Sequence, residues 1–81
     1  MPRYFFNVID GKFLVDDTGT ECSGMSQMRD QAISAAGSIL RDLGGEFPKG
    51  LEWQMHVTDE AKNTVFRLRF SAEDVSAGVV V

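Results

Sequence analysis

The side chains with the strongest claim to chemistry are one imidazole (His56), one thiol (Cys22), the adjacent carboxylates Asp16 and Asp17, and two guanidiniums, Arg67 and Arg69. A thiol and an imidazole would serve as nucleophile and base, but only within hydrogen-bond reach of each other and with a third group to orient them. Cys22 lies in Thr-Gly-Thr-Glu-Cys-Ser-Gly, with no basic neighbour to favour its thiolate. Nothing in the sequence brings that segment beside His56. Asp16 and Asp17 could face a hard cation, yet successive strand residues point to opposite faces. The segment "DDTGTE" also lacks the alternating oxygen ligands and closing glutamate of a calcium loop. The glycines of "GTECSG" and "GSILRDLGG" come without a phosphate-loop lysine. One cysteine makes no internal disulfide, and no Cys/His grouping has zinc spacing. The reading is therefore no enzyme, no cofactor, no metal and no small-molecule substrate.

The elements that must position these residues are legible from periodicity. In "LEWQMHVTDEAKNTVFRLRF", residues 51 to 70, Trp53, Met55, Val57, Phe66, Leu68 and Phe70 alternate with Gln54, His56, Arg67 and Arg69. That is a hairpin with one apolar and one polar side. A loop from Glu60 to Asn63 sets Val57 opposite Phe66, Met55 opposite Leu68 and Trp53 opposite Phe70. A slip by one would mix the two sides. Upstream, "YFFNVI" runs into Asp10-Gly11, a two-residue hairpin signal. This predicts Val8 opposite Phe13, Phe6 opposite Val15 and Tyr4 opposite Asp17. The core side of that hairpin is then Tyr4, Phe6, Val8, Phe13, Val15 and Asp17, the more apolar of the two sets. Its other side is Phe5, Asn7, Ile9, Lys12, Leu14 and Asp16.

A helix is predicted from about Met25 to Leu43. Its apolar stripe is Met25, Met28, Ala32, Ala35, Ala36, Ile39, Leu40 and Leu43. Ser23 or Gly24 is its cap, without a reciprocal Glu or Gln. Gly44-Gly45 ends it, and Gly37 within it is read as permitting close approach to the sheet. "GGEFPKG" is a loop, and "VSAGVVV" at residues 75 to 81 has no counterpart pattern. The order β-β-α-β-β gives an α+β, two-layer fold: one helix on one face of a four-stranded, mainly antiparallel sheet. Connection lengths allow strand order 2-1-3-4 or 2-1-4-3. Residues 1 to 73 form the domain, and 74 to 81 a flexible tail.

Bulk composition bounds the function. Eighty-one residues hold one core, and 43% hydrophobic with 25% charged residues is ordinary for a globular chain. Twelve acidic against eight basic residues give a net charge of −4, which disfavours a generic phosphate-backbone binder. "MPRYFF" enters an apolar alternation at once, without the apolar core and cleavage site of a signal peptide. The expected location is the cytoplasm, and no run is long enough for a membrane span.

The opening "MPRYFFNVIDG", the following "DDTGTE" and the closing "WQMHVTDEAKNTVFRLRFSAE" carry a family resemblance over residues 1 to 73. The chain resembles a group of small stand-alone α-proteobacterial proteins, a family of unknown function whose members open Met-Pro-Arg-Tyr-Phe-Phe. The resemblance implies a compact bacterial domain and no established activity or catalytic residues. One departure is Asn7, where many relatives carry His, which weakens the case for essential imidazole chemistry at that position.

With one helix over one face, the other face is left open. The candidate interaction surface there is Phe5, Asn7, Ile9, Leu14, Gln54, His56, Val65, Arg67 and Arg69. His56 opposite Arg67 should favour its neutral form, and Glu52 lies within diagonal reach of Arg69. This face is more apolar than a solvated sheet face requires, and a small domain gains from an added interface. The expected function is a non-enzymatic protein–protein interaction module, a homodimer or a binder of another protein, using this face or an edge strand. The alternative is single-stranded nucleic-acid or RNA binding through Phe5, Arg67 and Arg69.

Overall fold

The computed structural model describes residues 2–43 and 52–71. The helix stop at Gly44-Gly45, the loop over 44–50 and the tail over 74–81 lie outside the described residues. The strands are β1 (Arg3–Ile9), β2 (Phe13–Leu14), β3 (Thr20–Glu21), β4 (Glu52–Thr58) and β5 (Thr64–Ser71), with α1 (Met25–Leu43) between β3 and β4. Among the described residues the architecture is α+β, with one helix packed against an antiparallel sheet of five strands. The four-stranded expectation is corrected because the second strand is divided in two. The sheet order is β2-β1-β4-β5, with β3 also paired to β1.

α1 forms where its periodicity indicates. Met28, Ala32 and Ala36 are buried, and Ala35, Ile39, Leu40 and Leu43 pack beside them. Alanines at the centre of the stripe let the helix sit close to the sheet. Gly24 is the N-cap, its carbonyl accepting the first helical bond from Met28 N–H at 3.0 Å. Gln27 does reach back, its Oε1 accepting from Ser23 N–H, which supplies one half of a capping box at the helix start. Gly37 faces solvent, and a Cβ built there meets nothing within 4 Å. The close-approach reading of Gly37 is therefore corrected.

The sheet side of the core is Tyr4, Val8, Trp53, Met55 and Val57, joined by Cys22. Trp53, Met28, Met55 and Val57 are at most 1% exposed. Phe6, Phe66 and Leu68 pack at its margin, and the Arg29 guanidinium lies 6.0 Å from the Phe66 ring centre. All of these belong to one side of the sheet, the side α1 covers. Cys22 is thereby a small buried hydrophobe, its N–H held by Pro2 O at 2.9 Å.

The β4–β5 register is the one read from the sequence, with Trp53 opposite Phe70, Met55 opposite Leu68, His56 opposite Arg67 and Val57 opposite Phe66. Nearer the turn, pairing jumps to Thr58 opposite Thr64, leaving a bulge at Val65. Asp59 drives this: its Oδ1 accepts from Ala61 and Asn63 N–H, both at 2.9 Å, and Lys62 takes a φ of 67°.

The first hairpin differs by one residue. Ile9 opposes Phe13 and Val8 opposes Leu14. The loop is therefore three residues, Asp10-Gly11-Lys12, with Gly11 at φ 94° and Asp10 N–H donating to Lys12 O at 3.1 Å. The two-residue turn is corrected, and the slip turns over every side chain beyond it. Phe13-Leu14-Val15 is apolar at each position, so hydrophobic alternation cannot select its register.

Candidate functional site

The face that α1 leaves uncovered contains a hollow of about 470 Å³. Its walls are Phe5 and Asn7 of β1, Phe13, Val15, Asp16 and Asp17 of the β2 side, and Thr58, Asp59, Glu60 and Lys62 at the β4–β5 turn. Phe13 and Val15, which the two-residue turn assigned to the core, thus stand on the open face, 61% and 63% exposed. Leu14 goes the other way. Paired with Val8, it points to the helix side at the sheet edge, where it remains 54% exposed. Val65 also leaves the candidate surface, because the bulge turns it against the core cluster.

The wall between β2 and β3 is built by two polar side chains. Asn7 is buried; its Oδ1 accepts from Asp16 N–H at 3.0 Å and its Nδ2 donates to His56 O at 3.1 Å. Asp16 then accepts three backbone N–H groups: Phe6 at 3.1 Å, Thr18 at 3.1 Å and Gly19 at 3.0 Å. A carboxylate takes the place of a ladder partner for β1, and the strand resumes as β3 only at Thr20. Burial pushes the Asp16 carboxyl up, but those three N–H groups and the nearby Arg3 charge outweigh it and hold the carboxyl below its ordinary range. Gly19, at φ 77°, brings backbone under the Arg3 stem and the Phe5 ring; a Cβ there would sit 2.8 Å from each. The "DDTG" segment is thus a loop staple. Asp16 spends its lone pairs on backbone, and among the described residues no group of three or more His, Cys, Asp and Glu could hold a metal ion.

The opposite half of the face is a chain of polar side chains along β4. Gln54 Nε2 donates to Glu52 Oε1 at 2.7 Å, which turns its amide oxygen toward His56 Nε2, also at 2.7 Å. An amide oxygen only accepts, so His56 Nε2 carries the proton. Burial first, then the charges of Arg67 and Arg69, lower the His56 pKa below its ordinary value. The ring is therefore the neutral Nε2–H tautomer at neutral pH. Arg69 Nε lies 3.8 Å from Glu52 Oε1 in an exposed ion pair, worth about 0–1 kcal/mol.

Of the sequence-derived surface, Phe5, Ile9, Gln54, His56, Arg67 and Arg69 lie on the open face and are accessible to some degree. Asn7 points that way but is a buried strut. Cys22 belongs to the core on the helix side, so thiol and imidazole are separated by the sheet. Sequence reasoning missed Phe13, Val15 and Asp17. A three-residue reading of Asp10-Gly11-Lys12 would have found them.

Residues 3–71 match the model of a family described as a domain of unknown function (DUF6894), and the chain belongs to that family. No curated protein and no solved structure matches it. No helix among the described residues is long and apolar enough to cross a membrane.

Proposed function

We propose that this DUF6894 domain is a non-enzymatic protein-interaction module that associates with a second copy of itself through the uncovered sheet face. The observation that carries this reading is Phe13 and Val15, more than 60% exposed at the lip of a hollow floored by Phe5. Exposed apolar side chains gathered beside a concavity mark contact surfaces more than solvated ones. Asp16, Asp59 and Glu60 around them are engaged in holding backbone N–H groups, which suits a scaffold. The four-stranded ββαββ plan survives in this reading as the core layout, with β2 and β3 two halves of one interrupted strand. A bacterial cytoplasmic setting is part of the same proposal.

The alternative, a single-stranded nucleic acid on the same face, gains a second aromatic in Phe13. It loses more, because four carboxylates and one lysine line the hollow and would repel phosphate. The edge of β5 is the other route to self-association, and one pair of substitutions separates it from the face.

Sedimentation velocity of the wild-type chain from about 20 to 500 µM, the range in which weak dimers form, should show a concentration-dependent dimer. Phe13→Asp with Val15→Asp, at exposed positions, should abolish it while the circular dichroism spectrum stays native. A wild-type monomer across the whole range refutes the reading. A dimer indifferent to the double substitution moves the contact to the β5 edge.

A further inference from the structure

Resting on that self-association, we propose that the dimer is two-fold and reciprocal: Arg67 of each copy seats in the Phe5–Phe13 hollow of the other, against Asp17. Charge on the open face is uneven. Four carboxylates and one lysine, Lys62, line the hollow, whereas Arg67 and Arg69 stand together on β5 at the far edge, with Glu52 beside Arg69. Most of these charges are already engaged. Asp16 holds three backbone N–H groups, Asp59 holds two, and Glu60 Oε1 accepts from Arg3 N–H at 3.0 Å. Among the described residues, Asp17 receives only the Thr18 hydroxyl, at 3.4 Å. Arg69 has Glu52, whereas Arg67 has no ion pair among the described residues. Lys62, at the β4–β5 turn, also lines the hollow without an ion pair among the described residues, but one lysine stands there against four carboxylates. Asp17 is thus the least engaged carboxylate of the hollow, and Arg67 the strand cation without a partner among the described residues.

Sheet order brings them together across a two-fold axis. Strands lie about 4.8 Å apart, so in the order β2-β1-β4-β5 the outer two are each about 7 Å from the β1–β4 midline. A two-fold axis along that midline, in the plane between two facing sheets, lays β5 of one copy over β2 of the other. Such an axis leaves each residue's level along the strand unchanged. Arg67 stands on one rung with His56 and Asn7, and Asn7 is a wall of the hollow. The guanidinium therefore arrives over the hollow, where the Phe5 and Phe13 rings offer faces for stacking and Asp17 offers the carboxylate. The contact is isologous and closes on itself, so it stops at two copies.

Four strands by about seven residues give a face of roughly 20 by 20 Å, on the order of 400 Å² per partner. That is about half of a standard interface. The dimer is accordingly weak, and with exposed charges at its rim it loosens as salt rises past the point where the Debye length is about 10 Å.

Charge exchange tests the seating. By sedimentation velocity at low salt, Arg67→Glu alone and Asp17→Arg alone should each dimerise at least tenfold more weakly than wild type. An equimolar mixture should regain wild-type association, because each contact in the mixed dimer then pairs opposite charges. Both positions are exposed, and native circular dichroism of each variant checks the fold. Single variants that associate like wild type, or a mixture no stronger than its parts, overturn the seating. If Phe13→Asp with Val15→Asp still abolishes association in that case, the face-mediated dimer stands without it. A wild-type monomer removes both.

Discussion

Replacing Asp16 tests whether the division of the second strand is a built feature. Its carboxylate receives three N–H groups at 3.0 to 3.1 Å, from Phe6 on β1 and from Thr18 and Gly19 in the loop. Hydrogen bonds to a charged acceptor contribute about 1.5–3 kcal/mol each where shielded. Thr18 is exposed and recovers most of its loss from water, whereas Phe6 and Gly19 are half-buried. Asp16→Ala should therefore cost about 2–3 kcal/mol in total, well below the sum of three shielded bonds. Asp16→Asn keeps one oxygen for Thr18 and Gly19 but turns an NH2 group toward Phe6 N–H, for a loss of about 1–1.5 kcal/mol. Asp17→Ala, which removes only the 3.4 Å contact from the Thr18 hydroxyl, should change stability by less than about 0.5 kcal/mol. Urea unfolding gives these as midpoint shifts at constant slope. For a domain of this size, each kcal/mol is about 4–8 °C in Tm.

Acid supplies an independent reading. The folded carboxyl of Asp16 lies below its ordinary 3.8, so its contribution to stability is full above that value and is lost as pH falls through the lower folded value. The gap between wild type and Asp16→Asn should accordingly be constant near neutrality and narrow below about pH 4. Equal costs for Asp16→Ala and Asp17→Ala, or a gap that does not narrow in acid, would refute the staple.

Three further outcomes follow from the same geometry. The His56 ring should titrate below 6.5 by NMR; Arg67→Ala should raise it only part of the way back, since burial is the larger cause. Because the folded value is depressed, stability from this site is present above 6.5 and declines as pH falls through the folded value. Gly37→Ala should raise stability by about 0.5–1 kcal/mol, measurable as a higher Tm, because the helix gains propensity and the added Cβ meets open space. Gly19→Ala should cost about 1–3 kcal/mol by urea unfolding, since φ is 77° and the new Cβ would lie 2.8 Å from both the Arg3 stem and the Phe5 ring.

Legibility followed the contrast between neighbouring residues. β4, β5 and α1 alternate between clearly apolar and clearly polar types, so one shifted register would bury Gln54, His56, Arg67 and Arg69 and expose Trp53 and Met55. Only one solution was tolerable, and it is the one the chain adopts. Phe13-Leu14-Val15 offers no such contrast, and the decision passes to turn chemistry. There a glycine at positive φ serves two- and three-residue loops alike. The staple was invisible for a related reason. Asp16 reads as a strand residue by position, and its role comes from Asn7, nine residues earlier, which holds its backbone in place. Val65 was lost to a bulge whose cause is the side chain of Asp59.

These two local departures have a joint effect on the open face. The hairpin slip moves Phe13 and Val15 out of the core, where burial would have stabilised the domain by about 1.5–3 kcal/mol for each side chain. The staple then keeps the chain from running on as an ordinary edge strand, and instead bends it at Asp16 to wall the hollow. A fold shaped by internal stability alone would keep both aromatic and valine inside and pair β1 along its length. In this chain Asn7, Asp16 and Gly19 together hold the less self-sufficient arrangement, with apolar surface presented outward beside Phe5. Stability withheld from the monomer in this way is recoverable on contact, which is why the interaction reading is anchored at the hollow, while the satisfied polar row of Glu52, Gln54 and His56 on the same face adds little.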